Sequence, residues 1–159
     1  MISWAETQVG CVRLELASGL LRRLSFTNEK PRAANRESFP CELVDAAKAC
    51  SAGSGVLPFL DIAGTPFQRR VWKTLSLIPC GQTRTYGEVA EAVAGGSYAR
   101  AVATACSHNA IAVFIPCHRV VAKQGIGGYR WGTEVKRSLL QWEGRGGNTR
   151  EFFLSYWRL

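Results

Sequence analysis

Two helix-start signals in the second part of the chain do most to limit its possible folds. Residues 65–68 (TPFQ) and 85–88 (TYGE) each place a threonine three residues before a glutamine or glutamate, which is the pattern of a capping box. Pro66 follows the first threonine and suits the first helical position. Apolar residues then recur at helical spacing after each start. We therefore predict a helix-rich region from residue 65 onward.

The region before residue 65 begins with the alternation of apolar and polar side chains that is typical of β-strands. Residues 11–16 alternate between polar and apolar side chains, a Ser-Gly turn follows at residue 18, and residues 20–26 suit the return strand of a hairpin. Residues 40–51 have the small apolar face of a helix, and residues 56–62 suit a short linking strand. The composition of the chain shifts near Gly64, and we predict a domain boundary there.

The predicted fold class is mixed α/β, of the α+β type. A small N-terminal sheet domain with a structural role covers residues 1–64, and a helical domain covers residues 65–144. Residues 145–159 form a tail of unassigned role, rich in aromatic side chains. The tail packs on the domain, binds a partner, or is incidental.

Residues 85–108 contain a helix-turn-helix pattern. A first helix ends at a Gly-Gly turn, and Ser97 can cap a second helix that runs to about His108. The second helix is rich in alanine and carries Arg100 in its first turn. Small side chains allow close approach to a nucleic acid backbone, but they also allow close packing between helices. The pattern is therefore also compatible with an ordinary helical hairpin that does not bind nucleic acid.

The positive charge is concentrated in the second part of the chain. Residues 1–64 contain 7 basic and 7 acidic residues, whereas residues 65–144 contain 10 and 4, and the net charge of the whole chain is +8. This distribution favours a polyanion partner for the second part. The alternative is that a basic excess only keeps the protein in solution.

The sequence also argues against several protein classes. No apolar run reaches the length of a membrane span, and the first residues do not resemble a signal peptide, so we expect an intracellular protein without membrane contact. The expected compartment is the cytoplasm in a bacterium or archaeon and the nucleus in a eukaryote. Six cysteines occur with no C-x-x-C pair, so we expect reduced thiols and no metal site.

A Cys-His pair after an apolar run is the strongest candidate for chemistry. Residues 111–115 read as an apolar strand or extended segment that delivers Cys117 and His118 directly after a proline. Histidine can take the thiol proton, here through a water because adjacent residues need not face each other. The imidazole then needs an orienting acid, for which the second part offers four glutamates: Glu88, Glu91, Glu134 and Glu143. The alternative is a buried thiol beside a histidine with a purely structural role.

A glycine-rich loop follows at residues 125–132. It carries Tyr129, Arg130 and Trp131, which suit a pocket wall that stacks on a planar ligand. A plain surface turn is the alternative.

Residues 65–144 resemble the O6-alkylguanine-DNA alkyltransferases, also called methylated-DNA–protein-cysteine methyltransferases. The resemblance includes PCHRV at 116–120, TPFQ at 65–68, IPCG at 78–81, TY at 85–86 and ARAV at 99–102. It continues through Asn109 and GY at 128–129, and closes with LL at 139–140 and EG at 143–144.

This resemblance implies a winged-helix-like DNA-binding domain and a reaction that occurs once per molecule. Cys117 would accept the alkyl group of O6-alkylguanine in double-stranded DNA, with O4-alkylthymine as a further substrate. His118 would take the thiol proton through a water, and Glu143 would hold the imidazole. No cofactor and no metal are implied, and the protein would act as a monomer.

The resemblance also implies supporting roles. Arg100 would fill the gap left by the rotated base, Tyr86 would bond to that base, and Tyr129 would flank the alkyl group. The supporting or pocket residues would be Asn109, Tyr86, Val120, Tyr129, Arg130 and Trp131. The DNA-binding residues would be Arg100, Tyr86, Ser97, Ala99, Ala101 and Thr104.

The chain departs from the family at a few positions. Ala110 and Ala112 stand where relatives often have proline, and Trp131 stands where relatives often have a small residue. The last departure suggests that bulky adducts such as benzyl are handled differently from methyl. Cys106, close in sequence to the site, either lines the pocket or only fills space beside it.

Two other functions are compatible with parts of the sequence. A protein that recognises alkylated bases without repairing them would need no cysteine, so the presence of Cys117 counts against it. A hydrolase built on Cys117, His118 and Glu143 would turn over and would need no basic surface, so it explains the charge poorly.

Overall fold

The computed structural model describes residues 2–29, 52–53 and 60–154. The helix predicted over residues 40–51 lies outside these ranges, and so does most of the strand predicted over residues 56–62. Within the described ranges, no helix has the length and apolar character that a membrane span requires.

The first three elements form an antiparallel sheet. The strands β1 (Ile2–Thr7), β2 (Gly10–Ala17) and β3 (Leu20–Phe26) pair in chain order. The predicted hairpin is confirmed as β2 and β3, and β1 adds a strand that was not predicted. Alternation along β2 buries every second side chain on one face, which becomes part of the core.

Both predicted capping boxes are present. They start α1 (Pro66–Leu75) and α2 (Tyr86–Ala94). In each, the threonine hydroxyl accepts from the N–H three residues on, and the glutamine or glutamate side chain accepts from the threonine N–H. These bonds satisfy N–H groups that a helix start leaves unpaired, so the local sequence fixes both starts.

The predicted helix-turn-helix is confirmed as α2 followed by α3 (Ala99–Ser107). Gly95 ends α2 with a φ of 66°, a left-handed conformation that glycine adopts without strain. The prediction that Ser97 caps α3 is wrong, because the helix begins after Tyr98 without a side-chain cap. Ser97 lies in the turn, where the Tyr98 N–H donates to the Gly96 carbonyl.

The apolar segment 111–115 is a buried turn, so the prediction of an extended strand is wrong. Hydrogen bonds from Leu24 to Ala110 and from Ala112 to Leu24 tie its start to β3. Val113 then has a φ of 69°, which is strained for a β-branched residue and breaks the extended path. All five residues are buried, so their apolar character reflects burial rather than strand pairing.

Short elements and one longer helix surround residues 117–121. A 3₁₀ turn spans Cys117–Arg119, β4 (Arg84–Thr85) pairs in parallel with β5 (Val120–Val121), and α4 spans Thr133–Gly144. Thr133, a residue type that suits an N-cap, is instead the first residue of α4, and Gly132 precedes the helix without a side-chain cap. Gly132 has a φ of 99°, a conformation that favours glycine.

The last element, α5 (Thr149–Leu154), brings the described part of the tail into the core. Phe152 is fully buried, and its ring lies edge-on to Phe26 at 6.2 Å and to Trp142 at 5.5 Å. Sheet and helices share one hydrophobic cluster. The mixed α/β class is therefore confirmed, while the domain boundary at Gly64 stays a prediction.

Candidate active site

A cavity of ≈ 320 Å³ lies between the helix-turn-helix and the glycine-rich loop. Its lining residues are Tyr86, Ala103, Cys106, Ser107, Cys117, Gly128, Tyr129 and Arg130. Cys106 therefore lines the same cavity as Cys117. A second cavity of ≈ 390 Å³ lies between β3 and α1 and reaches Asn109, but its lining contains no nucleophile.

Cys117 opens the 3₁₀ turn directly after Pro116 and is 2% exposed. Its sulfur accepts a hydrogen bond from Asn109 Nδ2 at 3.1 Å. The same Asn109 donates to the Ile115 carbonyl and accepts from the Ile111 N–H, so one side chain braces the whole turn around the thiol. Burial raises the pKa of Cys117 to about 11, although Asn109 and Lys136 act in the opposite direction. The thiol is therefore protonated at neutral pH and needs a base.

His118 is the base nearest in sequence, and it is fully buried. Its Nε2 lies 2.8 Å from Glu143 Oε1. Burial lowers the pKa of His118 more than Glu143 raises it, so the ring is neutral at pH 7. We assign the ring proton to Nε2, since a carboxylate only accepts. That leaves Nδ1 as an acceptor for a proton.

Glu143 lies among donors at the carboxyl end of α4. Arg119 donates to it through Nε at 3.0 Å and through NH2 at 2.8 Å, and the Gly81 N–H donates at 3.1 Å. Burial alone would raise the pKa of Glu143, but the hydrogen bonds and charges of His118 and Arg119 hold it well below its ordinary range. The carboxylate is therefore ionised at neutral pH.

Arg119 is a residue whose role sequence reasoning missed. It is fully buried, and besides Glu143 it donates to the Ile78 carbonyl and the Cys80 sulfur. The available signal was an arginine between a buried Cys-His pair and two valines, because a charge in such apolar surroundings requires a carboxylate partner.

Lys136 is a second residue that sequence reasoning missed. It is 0% exposed and donates to the carbonyls of Val120 at 2.6 Å and Gly128 at 2.9 Å. Its ammonium group also lies 5.7 Å from the centre of the Tyr86 ring. The lysine therefore ties β5 to the glycine-rich loop, and one of the two carbonyls that it occupies belongs to Val120, a predicted pocket residue.

The three side chains of the glycine-rich loop have different surroundings. Tyr129 is edge-on to His118, with ring centres 6.4 Å apart, and it lines the cavity. Arg130 also lines the cavity and donates to the carbonyls of Ser107 and Asn109. Trp131 lies behind Tyr129, between that ring at 5.2 Å and Phe26 at 6.4 Å, and is not among the lining residues.

Tyr86 stands opposite this loop, at the start of α2. Its hydroxyl donates to the Gly128 carbonyl at 3.4 Å, and burial raises its pKa to about 12. Tyr86 is therefore a neutral hydrogen-bond donor at the cavity wall.

The helix α3 connects the cavity to the outer surface. Its inner side provides Ala103 and Cys106 to the cavity. The residues predicted to bind DNA lie around its start and outer side, with Ser97, Arg100 and Thr104 exposed and Ala99 and Ala101 partly exposed. A ligand could therefore touch the outer side of α3 and reach the thiol at once.

The described thiols at residues 11, 80, 106 and 117 are all free. Within the described ranges, no group of three or more His, Cys, Asp or Glu side chains has the arrangement of a metal site. Chemically, the arrangement combines a buried thiol, a base held by a carboxylate, and a cavity for an electrophile. It suits nucleophilic attack by sulfur.

Comparison with known proteins gives relatives of one kind. A family model described as the DNA-binding domain of 6-O-methylguanine DNA methyltransferase matches residues 66–145. A probable methylated-DNA–protein-cysteine methyltransferase of Acanthamoeba polyphaga mimivirus is 52% identical over 84 residues, which are 53% of this chain and 56% of that protein. The bifunctional transcriptional activator/DNA repair enzyme Ada of Escherichia coli is 51% identical over 85 residues, 53% of this chain and 24% of Ada. The chain thus spans about half the length, or less, of these curated relatives.

Solved structures match over nearly the whole chain. The crystal structure of Mycobacterium tuberculosis OGT in complex with DNA superposes with a TM-score of 0.73 and 35% identity, covering 92% of this chain and 94% of that one. The O6-methylguanine-DNA methyltransferase of Pyrococcus kodakaraensis superposes with a TM-score of 0.70 and 27% identity, covering 91% and 99%. With its sequence motifs, its fold and its family match in agreement, the chain belongs to the O6-methylguanine-DNA methyltransferase family.

Proposed function

We propose that this protein repairs O6-alkylguanine in double-stranded DNA by moving the alkyl group to its own Cys117. The observation that carries the proposal is a buried thiol that shares its surroundings with a neutral His118 ring bonded to the ionised carboxylate of Glu143. The names of the relatives and the DNA bound to the similar Mycobacterium tuberculosis structure support the same substrate.

In the proposed reaction, sulfur attacks the alkyl carbon bonded to guanine O6. The carbon–sulfur bond forms as the carbon–oxygen bond breaks, and the electron pair of the broken bond stays with the guanine. The thiol proton passes through a water to His118 Nδ1, and the imidazolium then releases one proton through water to N1 of the guanine, so that the product base and His118 are both neutral. Glu143 stabilises the imidazolium that forms. The thioether left on Cys117 has no easy leaving group, so each molecule reacts once.

In this proposal, α3 binds the DNA next to the cavity that contains the thiol. The target nucleotide leaves the duplex and enters the ≈ 320 Å³ cavity, which costs a few kcal/mol that binding must supply. Exposed Arg100 occupies the gap in the duplex, and the small side chains of α3 allow it to approach the minor groove. Tyr86 bonds to the rotated base, and Tyr129 flanks the alkyl group.

The remaining assignments are part of the same proposal. Residues 1–64 support the fold, and residues 65–144 carry the reaction. The basic excess of the second region attracts phosphate without regard to sequence, as a search for rare lesions requires. One molecule carries every proposed group, so the protein acts as a monomer.

The test is the mass of the protein after incubation with duplex DNA that contains O6-methylguanine. We expect one methyl group on the Cys117 peptide, none on Cys117→Ser, and full uptake by Cys11→Ser, a control in β2. Binding without a mass change would indicate a recognition protein instead. Release of product in excess of protein, with Cys117 unmodified, would indicate a hydrolase.

A further inference from the structure

Two buried polar atoms beside Cys117 have no hydrogen-bond partner among the described residues: His118 Nδ1 and the Tyr129 hydroxyl. Neither of these two atoms is accessible to solvent. Buried polar atoms are nearly always paired, either with protein or with an ordered water, because an unpaired one costs about 1–3 kcal/mol. Two such atoms at one site therefore point to a common ligand.

The two rings are placed so that one small molecule can serve both. Their centres are 6.4 Å apart and their planes are nearly perpendicular, at 77°. The two side chains are therefore direct neighbours, as a single bridging water would require. The thiol also belongs to this group, since Cys117 and Glu143 both lie close enough to the Tyr129 hydroxyl to add to the increase in its pKa that burial causes.

We infer that the Tyr129 hydroxyl holds the water through which Cys117 passes its proton to His118, so that Tyr129 is a positioning residue for the reaction. This inference rests on the proposed function but adds a role for the hydroxyl, separate from contact between the ring and the alkyl group. A buried water typically makes about three hydrogen bonds. The thiol and His118 Nδ1 supply two of them, and Tyr129 supplies the third.

The direction of each bond follows from the protonation states. Tyr129 keeps its proton, because burial raises its pKa well above the ordinary value, so the hydroxyl donates to the water oxygen. The water accepts the thiol proton and gives one of its own to Nδ1, which leaves a thiolate, a neutral water and an imidazolium. The hydroxyl fixes the water and polarises it toward the histidine.

The substitution that tests this inference is Tyr129→Phe, which keeps the ring and removes only the hydroxyl. We expect methyl transfer from saturating duplex DNA to slow about tenfold, the effect of losing one hydrogen bond of about 1.4 kcal/mol. DNA affinity should stay the same. A tyrosine that acts only as a wall for the alkyl group would give an unchanged rate, and that result would overturn the inference.

A second readout does not involve guanine. Iodoacetamide alkylates thiolates, so the pH dependence of its reaction with Cys117, followed on the Cys117 peptide, reports the pKa of this thiol. Asn109, Lys136 and Arg130 lower its pKa, against the increase that burial causes. The thiolate in turn raises the pKa of Cys106, Tyr86 and Tyr129, which face it. We expect Tyr129→Phe to move the midpoint to higher pH. Tyr98→Phe, which removes an exposed hydroxyl, should leave it in place.

These readouts separate the inference from the proposed function. A shifted midpoint in Tyr129→Phe supports the inference even if wild-type protein takes up no methyl from DNA. A crystal structure of the wild-type protein tests it without any variant. It should contain a water within hydrogen-bond distance of Cys117 Sγ, His118 Nδ1 and the Tyr129 hydroxyl, whereas a direct bond between Tyr129 and His118 would overturn it.

Discussion

The buried interior behind Cys117 and the outer surface of α3 hold their charged residues in different ways. Behind Cys117, Arg119, Lys136 and Glu143 are buried, and each has several fixed partners. On the outer side of α3, Arg100 is exposed at the helix start. The inner groups can fix the surroundings of the thiol before any ligand binds. The outer group can act only when a partner is bound.

The contrast predicts different consequences of substitution. A change on the inner side should alter folding stability and reactivity together, since the same bonds serve both. A change on the outer side should alter the reaction with DNA while stability stays the same. The following predictions test this difference, from the largest expected effect to the smallest.

Replacing Arg119 by methionine should have the largest effect on stability. It leaves the buried carboxylate of Glu143 without its main cation, which costs about 3–5 kcal/mol. Urea denaturation measures the change. The control is Arg137→Met, since Arg137 forms an exposed ion pair with Glu134 whose loss costs under about 1 kcal/mol. An equal decrease in the free energy of unfolding in both variants would contradict the claim that the buried charges stabilise the fold more than exposed ones.

The stability of the protein should fall in acid because of Glu143. Its folded pKa is held below the ordinary value of 4.5, so the unfolded chain takes up a proton first as the pH falls below that value. The contribution is fully present above about pH 4.5 and is lost as the pH falls through the folded pKa. Glu143→Gln should remove this part of the acid dependence, and exposed Glu134→Gln should retain it. Stability curves measured from pH 7 to pH 3 would compare the three proteins.

On the outer side, Arg100→Ala should slow methyl transfer from duplex DNA by about tenfold or more, since base rotation costs a few kcal/mol. Transfer from a free base analogue should change little, and so should the melting temperature. Arg22→Ala removes one exposed charge from β3 and serves as the control. Equal losses on both substrates would remove the role given to Arg100.

The smallest expected effect concerns adduct size. Trp131 supports Tyr129 from behind, so Trp131→Gly should give that ring more freedom and raise the rate for benzyl relative to methyl adducts. Because the contact with the adduct is indirect, we expect a change in this ratio of less than about tenfold. Transfer rates for both adducts, measured in both proteins, provide the test. An unchanged ratio would exclude the idea.

The sequence predicted elements whose signals are local. Both capping boxes and the glycine turn after α2 act within a few residues, and the structure contains them. Ser97 and Thr133 also carry local signals, but the turn before each helix decides where it begins. Segment 111–115 was read incorrectly because burial in a turn and burial in a strand leave the same apolar run.

The candidate site divides in the same way. Cys117, His118 and Glu143 were named from a motif, and the last two lie 2.8 Å apart although 25 residues separate them. Arg119 and Lys136 were missed, because their partners come from other elements. The bond between Gly81 and Glu143 spans 62 residues, and no periodicity in the sequence reports such a distance.

The buried face of α4 also limits how the length of this chain can vary. Lys136, Leu139 and Glu143 share that face, so the helix holds its buried cation and anion two turns apart. Intervening positions such as Arg137, Ser138 and Gln141 are exposed and should accept many substitutions. A single inserted residue would instead rotate Glu143 by about 100° away from Arg119 and His118. A library of insertions and deletions should therefore find α4 intolerant at the same positions where a library of substitutions finds it permissive.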